Sequence, residues 1–107
     1  MESEHSALSA VIGAASTGVR TFTASASHGL ALMHEVTGVT SASRLPVVMA
    51  VVSRAIPGPM CLWCDHSDIM TQRDQGWIQL FAQSPQEALD MTMIAYRTSE
   101  DARVLIP

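Results

Sequence analysis

Polar and charged residues gather in three short stretches of this sequence, each where a loop leads into a helix. Glu4 lies in MESEHSA, Ser27, His28 and Gly29 lie in TASASHGLALMHE, and Arg54 lies in VVSRAIPGPMCLWCDHSD. In open α/β sheets, ligands bind beyond the carboxyl ends of the strands. A carboxylate and a guanidinium at neighbouring strand ends could bind an anionic substrate beside an acid–base group. These positions predict a ligand site.

Each of these residues also has a structural interpretation. Glu4 could only complement the N-terminus of a helix, and Arg54 could cap a central strand through a salt bridge. Backbone N–H groups near His28 could face an anion at a helix start, where Gly29 would permit close approach. The residues alone do not choose between these interpretations.

A C-x-x-C pair and an acidic cluster follow Arg54. Cys61 and Cys64 could belong to a small redox or metal protein, but zinc would need further ligands at suitable spacing. Two reduced thiols are the simpler interpretation, and we predict no metal site. Asp65, His66 and Asp68 could cap a short helix or line the approach to a site, and we favour the structural role.

Helix-like and strand-like sequence patterns alternate along the chain, and they predict the elements that must position these residues. Ser84 with Glu87 three residues later, and Pro85 between them, predicts a capped helix. Gly18 is a candidate to end the first helix. The expected helices are 4–17, one opening at Ser27, a short one within 65–75, and 84–103; the expected strands are 20–25, 45–54, 76–82 and 104–107, with a proline- and glycine-rich loop at 57–59. Strands separated by helices predict an α/β fold with a mostly parallel sheet and helices on both faces.

Composition narrows the function classes. The 107 residues are 48% hydrophobic and 15% charged, which argues against disorder. The net charge is −4 and all six basic residues are scattered arginines, so we expect no nucleic-acid or anionic-membrane partner. No apolar run reaches the ~18–20 residues that span a bilayer, and nothing resembles a signal peptide. A cytoplasmic location is expected.

Five blocks in register resemble one known family. They are ESEHSALSAVIGAA, TFTASASHGLALMHE, LPVVMAVVSRA, LWCDHSD with RDQGWIQLFA, and QEALDMTMIAYRTSEDARVLIP. Together they are similar to the α-subunit of the 2-oxoacid:ferredoxin oxidoreductases, the pyruvate:ferredoxin oxidoreductase group, across essentially the whole chain. The resemblance implies that residues 1–107 are a partial thiamine diphosphate pyrimidine-binding domain, incomplete at both ends.

The resemblance assigns roles to the residues named first. It implies that Glu4 contacts N1′ of the aminopyrimidine, away from bulk water, which makes Glu4 both cofactor-binding and catalytic. It implies that Arg54 binds the 2-oxoacid carboxylate, because a guanidinium forks onto two oxygens. Ser27, His28 and Gly29 stand where the family has Ser-Gln-Gly, so we expect them to be substrate-binding, with His28 adding a titratable ring.

The resemblance also implies partners. Mg²⁺ and iron–sulfur clusters are expected on other domains or subunits, the diphosphate on a β-subunit or pyrophosphate-binding domain, and ferredoxin as the electron acceptor. The expected function is that of a partial subunit in oxidative decarboxylation of a 2-oxoacid such as pyruvate to acyl-CoA. We expect an oligomer, and no activity from the chain alone. The alternatives are a non-catalytic α/β remnant with a structural role, or the C-x-x-C protein considered above.

Overall fold

Two parallel strands lie at the centre of the structure. The computed structural model describes residues 2–56, 58 and 61–107. Strand β1 (Thr21–Ser25) pairs with β2 (Val47–Val51), and Ser25 lies opposite Val51 in the register. Because the strands are parallel, the residues that follow Ser25 and Val51 meet at the same edge of the sheet.

Helices connect and flank the two strands. The described residues form α1 (Glu4–Ala15), α2 (Ser27–Leu32), α3 (His34–Ala42), α4 (Ser67–Met70) and α5 (Pro85–Ser99). The first helix packs against β1 and the last against β2. The predicted α/β fold class with a parallel sheet is therefore confirmed. Within the described ranges, no helix is long and apolar enough to cross a membrane.

The hydrophobic core fixes α1 against the sheet. Leu8, Met33 and Val36 are buried together, and Met49 of β2 packs against them. Leu8 lies one turn after Glu4, so its complete burial sets the position of the helix end that carries this carboxylate. Gly18 follows the helix with a φ of +86°, a left-handed conformation that glycine adopts without strain.

Helix α5 is attached to the start of β1 by polar contacts. The guanidinium of Arg20 donates two hydrogen bonds to Glu100, at 2.5 and 2.6 Å, and lies 5.0 Å from the centre of the Tyr96 ring. The Tyr96 hydroxyl donates to the Thr21 carbonyl at 3.2 Å. The bond from Arg20 lowers the pKa of Glu100, so this ion pair is charged at neutral pH.

Two predicted strands are wrong. Residues 76–82 form no strand, and their described backbone link to another segment is the bond from Ile78 N to the Pro107 carbonyl, at 2.9 Å. Residues 104–107 follow a turn in which the Asp101 side chain accepts from Arg103 N, and Leu105 has a φ of +42°. A strand requires a ladder of bonds to a neighbour, which pattern alone cannot supply.

Several boundaries also differ from those expected. The first helix ends at Ala15, β1 begins at Thr21, β2 covers only Val47–Val51, and α5 ends at Ser99. The helix that opens at Ser27 is divided at Met33 into α2 and α3. The predicted loop at 57–59 lies largely outside the described residues.

The predicted cap of α5 is confirmed and gives a stability test. Ser84 Oγ accepts from Glu87 N at 3.2 Å, and Glu87 Oε2 accepts from Gln83 N at 2.8 Å. We expect Ser84→Ala to lower the free energy of unfolding by about 1 kcal/mol, because a backbone donor loses its partner. Urea unfolding followed by circular dichroism measures this.

The control for this prediction is Thr92→Ala. Thr92 lies in the middle of the same helix and bonds only back to the Ala88 carbonyl, at 2.7 Å. This change should leave stability within about 0.5 kcal/mol of the unmodified protein, as is usual for surface substitutions. Equal losses from both substitutions would contradict the capping role of Ser84.

Candidate functional site

A buried carboxylate joins the segments that follow the two strands. Asp68, in α4, is completely inaccessible to solvent. Its Oδ2 accepts from Ser27 N at 2.9 Å and from Arg54 N at 3.0 Å. Its Oδ1 accepts from Ser53 Oγ at 2.6 Å and from Ile69 N at 2.8 Å. Two of the sequence stretches predicted to form a site are thus held by one side chain.

These hydrogen bonds keep Asp68 ionised. Burial by itself would raise the pKa of this carboxyl group, because it disfavours the charged form. The bonds donated by Ser53 Oγ and by the backbone of Arg54, Ser27 and Ile69 outweigh burial and lower the pKa below its ordinary value of 3.8. A full negative charge therefore lies between the ends of the two strands at neutral pH.

Ser27 is bound entirely within the chain. Its N–H is taken by Asp68, its hydroxyl donates to the Ala55 carbonyl at 2.8 Å, and the residue is completely buried. Its φ of 47° is an unusual conformation for serine, held by these contacts. The N–H of Gly29 is also used, by the Ala26 carbonyl. These two N–H groups are therefore not available to a bound anion, and the interpretation that backbone N–H groups at this helix start face one stays a prediction.

Gly29 brings Glu4 to this part of the fold. A Cβ atom at Gly29 would lie 2.9 Å from Cγ of Glu4 and 2.9 Å from Oγ of Ser25. The Glu4 side chain thus lies across the bare Cα of Gly29, just beyond the end of β1. The expectation that Glu4 is held away from bulk water is wrong for this chain by itself, since the residue is exposed. Its carboxylate is accessible at the site.

His28 lies on the surface beside these residues. It is exposed, and its Nδ1 is 3.3 Å from Ser27 Oγ. His28 and Glu4 are therefore the exposed side chains of the predicted group, while Ser27 is buried beneath them. The substrate-binding assignment of Ser27, His28 and Gly29 stays a prediction, and for Ser27 the buried geometry argues against direct contact.

The guanidinium of Arg54 has no internal partner within the described residues. Arg54 is half-buried, its Nε is buried without a hydrogen-bond acceptor, and no described carboxylate lies within ion-pair distance of it. A buried donor without a partner is rare and costly, so the unpaired Nε shows that Arg54 is not held by a structural ion pair among the described residues. The structural alternative, a salt bridge that caps β2, is not formed among these residues.

A cavity lies apart from these predicted site residues. This cavity, of about 500 Å³, lies between the sheet, the 77–82 segment and α5, and its walls include Phe22, Val48, Phe81 and Met91. None of the predicted site residues lines it. Because its walls are chiefly apolar and offer no charged group for an anion, we do not assign the site to this cavity.

The C-x-x-C pair is not a metal centre among the described residues. Cys61 is half-buried, Cys64 is exposed, and both are free thiols. In the part of the chain that the structure describes, no three His, Cys, Asp or Glu side chains are grouped to hold a metal ion. Asp65 caps α4 by accepting from Ser67 N at 2.7 Å, as the structural interpretation of this cluster predicted.

The fold is that of a parallel α/β domain, and the candidate site lies at the carboxyl ends of its two strands. The family described as pyruvate flavodoxin/ferredoxin oxidoreductase, thiamine diphosphate-binding, matches residues 1–107. The chain belongs to this family, as the resemblance of its sequence blocks indicated. A thiamine diphosphate-binding domain is therefore the kind of domain that these residues form.

Curated relatives contain a similar sequence within longer chains. The chain is 56% identical over 107 residues to pyruvate synthase subunit PorA of Pyrococcus abyssi and 55% identical to that of Thermotoga maritima. It is 48% identical over 104 residues to ketoisovalerate oxidoreductase subunit VorA of Pyrococcus furiosus. All of this chain is covered by the first two and 97% by the third, but the chain spans only 26–27% of these relatives.

We expect the ionised Asp68 carboxylate to make a pH-dependent contribution to the free energy of unfolding. We expect Asp68→Asn to lower the free energy of unfolding at pH 7 by about 2–4 kcal/mol, since an amide cannot accept from all four donors. The folded pKa lies below 3.8, so the contribution of ionised Asp68 is fully present above that value. It is lost as pH falls through the folded pKa. Urea unfolding between pH 7 and pH 3 should show the two proteins converging in acid.

Asp65→Asn is the matched control for this prediction. It removes an exposed carboxylate that lies two residues before α4 and accepts from Ser67 N at the start of that helix. This variant should show a smaller loss at pH 7. A stability difference for Asp68→Asn that is constant over this pH range would contradict the assigned charge.

Proposed function

We propose that this chain forms the aminopyrimidine-binding part of a 2-oxoacid:ferredoxin oxidoreductase α-subunit. The complete enzyme would oxidatively decarboxylate a 2-oxoacid such as pyruvate to acyl-CoA and pass electrons to ferredoxin. One observation supports this proposal: among the described residues, the guanidinium of the half-buried Arg54 has no partner at the strand ends where Asp68 joins the chain segments.

Arg54 is suited to bind the carboxylate of the substrate. A guanidinium stays charged at any working pH and presents paired donors to two carboxylate oxygens. Pyruvate and ketoisovalerate, which appear in the names of the relatives, share this carboxylate and the adjacent ketone and differ only beyond them. Arg54 would recognise the shared part, so the class of substrate follows from it.

Glu4 is suited to contact the cofactor. Its carboxylate is accessible, it lies against Gly29 at the end of β1, and the core beneath Leu8 holds its helix in place. Thiamine diphosphate, when bound, supplies the thiazolium ring that accepts negative charge during decarboxylation. Glu4 would hold a proton at the aminopyrimidine N1′ and thereby support loss of the thiazolium C2 proton.

Other parts of the enzyme belong to the same proposal. Three strongly exposed apolar side chains lie on segments next to Arg54, namely Val52 at 72%, Leu62 at 75% and Trp63 at 79%. Apolar surface of this kind marks contact with further protein. We propose that a β-subunit or pyrophosphate-binding domain packs here and provides the Mg²⁺–diphosphate site, with iron–sulfur clusters on further domains, in a cytoplasmic oligomer. The chain alone would then be inactive.

Replacing Arg54 tests the carboxylate assignment. In the assembled enzyme, we expect Arg54→Ala to lower kcat/KM for the 2-oxoacid by about 2–5 kcal/mol in transition-state free energy, the usual loss for a buried charge partner. Steady-state kinetics with ferredoxin as acceptor measure this. The control is Arg73→Ala, because Arg73 is highly exposed and pairs only with Asp74.

Unchanged kinetics in the Arg54 variant would remove this residue from the substrate site. They would also favour the alternative that the domain is a non-catalytic structural piece. A loss shared equally by the Arg73 variant would point to disturbed assembly instead.

Replacing Glu4 tests the cofactor assignment. We expect Glu4→Gln to slow exchange of the thiamine diphosphate C2 proton at least about 100-fold, because general acid–base contacts contribute rate factors of this order. Gly29→Ala should slow it too, since the added methyl group displaces the Glu4 side chain. Exchange into D₂O, quenched and read by NMR, measures the rate.

Glu2→Gln is the control for the Glu4 variant. Glu2 is an exposed carboxylate two residues away that no contact joins to Gly29. Its exchange rate should equal that of the unmodified enzyme. Normal exchange in Glu4→Gln would exclude Glu4 from the reaction.

A further inference from the structure

We propose that Asp68 is a positioning residue for substrate binding: its buried carboxylate fixes the backbone of Arg54 and so directs the Arg54 guanidinium toward the 2-oxoacid carboxylate. This inference rests on the proposed function of Arg54. It gives a role in the reaction to a residue that would not itself touch substrate or cofactor.

One oxygen atom of Asp68 holds two chain segments. Oδ2 of Asp68 accepts both Ser27 N, at the start of α2, and Arg54 N, beyond the end of β2. Because both N–H groups converge on the same atom, neither segment can shift relative to the other without breaking a bond. The distance between the α2 start and Arg54 is thereby set.

The ladder of backbone hydrogen bonds between the two strands does not extend to Arg54. The last backbone bond between the two strand segments runs from Val52 N to the Ser25 carbonyl, at 3.1 Å. Beyond it, Ser53 and Arg54 are held by Asp68 through the bonds to Ser53 Oγ and Arg54 N. Asp68 therefore replaces the missing sheet partner at the position where orientation of the guanidinium matters.

Asp68 does not neutralise the charge of the Arg54 side chain. Asp68 binds the backbone of Arg54, and its carboxylate is not within ion-pair distance of the guanidinium. An ion pair would have neutralised the group that is to bind an anion. All four acceptor positions of Asp68 are instead filled by Ser53 Oγ and three backbone N–H groups, which uses the full capacity of a carboxylate.

The test measures KM for pyruvate in the assembled enzyme carrying Asp68→Asn. We expect KM to rise about 10-fold or more, since a small misplacement of a binding group carries costs of this size. KM does not depend on how much enzyme is folded, so a purely structural loss would lower kcat and leave KM unchanged. Asp65→Asn, just before the same helix and without bonds to Arg54 or Ser27, should leave KM unchanged.

A double-variant cycle assigns the effect to Arg54. If Asp68 acts through Arg54, adding Asp68→Asn to Arg54→Ala should raise KM no further. An unchanged KM in Arg54→Ala alone would refute the proposed function. A raised KM in Arg54→Ala together with an unchanged or fully additive effect of Asp68→Asn would refute only the positioning role.

Ser53→Ala keeps the inference testable if the Asp68 variant does not assemble. This change removes the 2.6 Å bond that orients the Asp68 carboxylate but leaves the carboxylate in place. We expect KM for pyruvate to rise about 3-fold, the effect of losing one modest hydrogen bond, and not to rise in the Arg54→Ala background. An unchanged KM in Ser53→Ala would overturn the positioning role.

Discussion

The structure depends on a single ionised carboxylate that is completely shielded from water. Taking a charge out of water is costly unless hydrogen bonds compensate for the lost hydration. Asp68 obtains four such bonds, two of them from backbone N–H groups of segments distant in sequence, Ser27 and Arg54. This compensation stabilises the charge, and the same bonds hold the strand-end segments in one arrangement. Folding energy and site geometry therefore have a common origin here.

The site consists of a buried, hydrogen-bonded layer of residues with more accessible side chains above it. Ser27 and Asp68 are completely buried, whereas Glu4 and His28 are exposed and Arg54 is half-buried. Such an arrangement is suited to a ligand that arrives from outside and covers the accessible side. The burial of Leu8 and the missing side chain of Gly29 add a second requirement, because they let α1 bring Glu4 against the start of α2.

Local signals in the sequence predicted local structure well. Ser84, Pro85 and Glu87 predicted the start of α5, because a cap depends on a few neighbouring residues. Gly18 was expected to end α1, but the C-cap is Ser16, and Gly18 follows it with a left-handed φ. The strand predictions at 76–82 and 104–107 failed for the opposite reason. An apolar, β-prone pattern needs a neighbouring strand to pair with, and no local signal provides one.

In the candidate site, too, the sequence predicted some features and missed one that depends on contacts between distant segments. The strand-end rule and the family resemblance selected Glu4, Arg54 and the Ser27–Gly29 stretch. For Asp68 they left two interpretations, a helix cap or a residue that lines the approach to the site, and the structural one was favoured. Its role required knowing that residues 41 and 14 positions away in sequence donate to one oxygen. The DHSD segment was the available signal, but an aspartate in the first turn of a helix is common and does not indicate a contact with distant segments.

By itself, the sequence determined the α/β class, the family, the caps and the types of chemical group present. The class, the cap of α5 and the chemical groups follow from periodicity, from short-range backbone preferences and from the side-chain inventory, all of which are local, whereas the family follows from the resemblance of its five sequence blocks. Only the tertiary structure decided that the guanidinium of Arg54 has no described internal partner, that Ser27 is sealed inside, and that Asp68 joins the strand ends. Hydrogen bonds between distant segments and the exclusion of water arise only when the chain packs, so their pattern could be read only from the folded molecule.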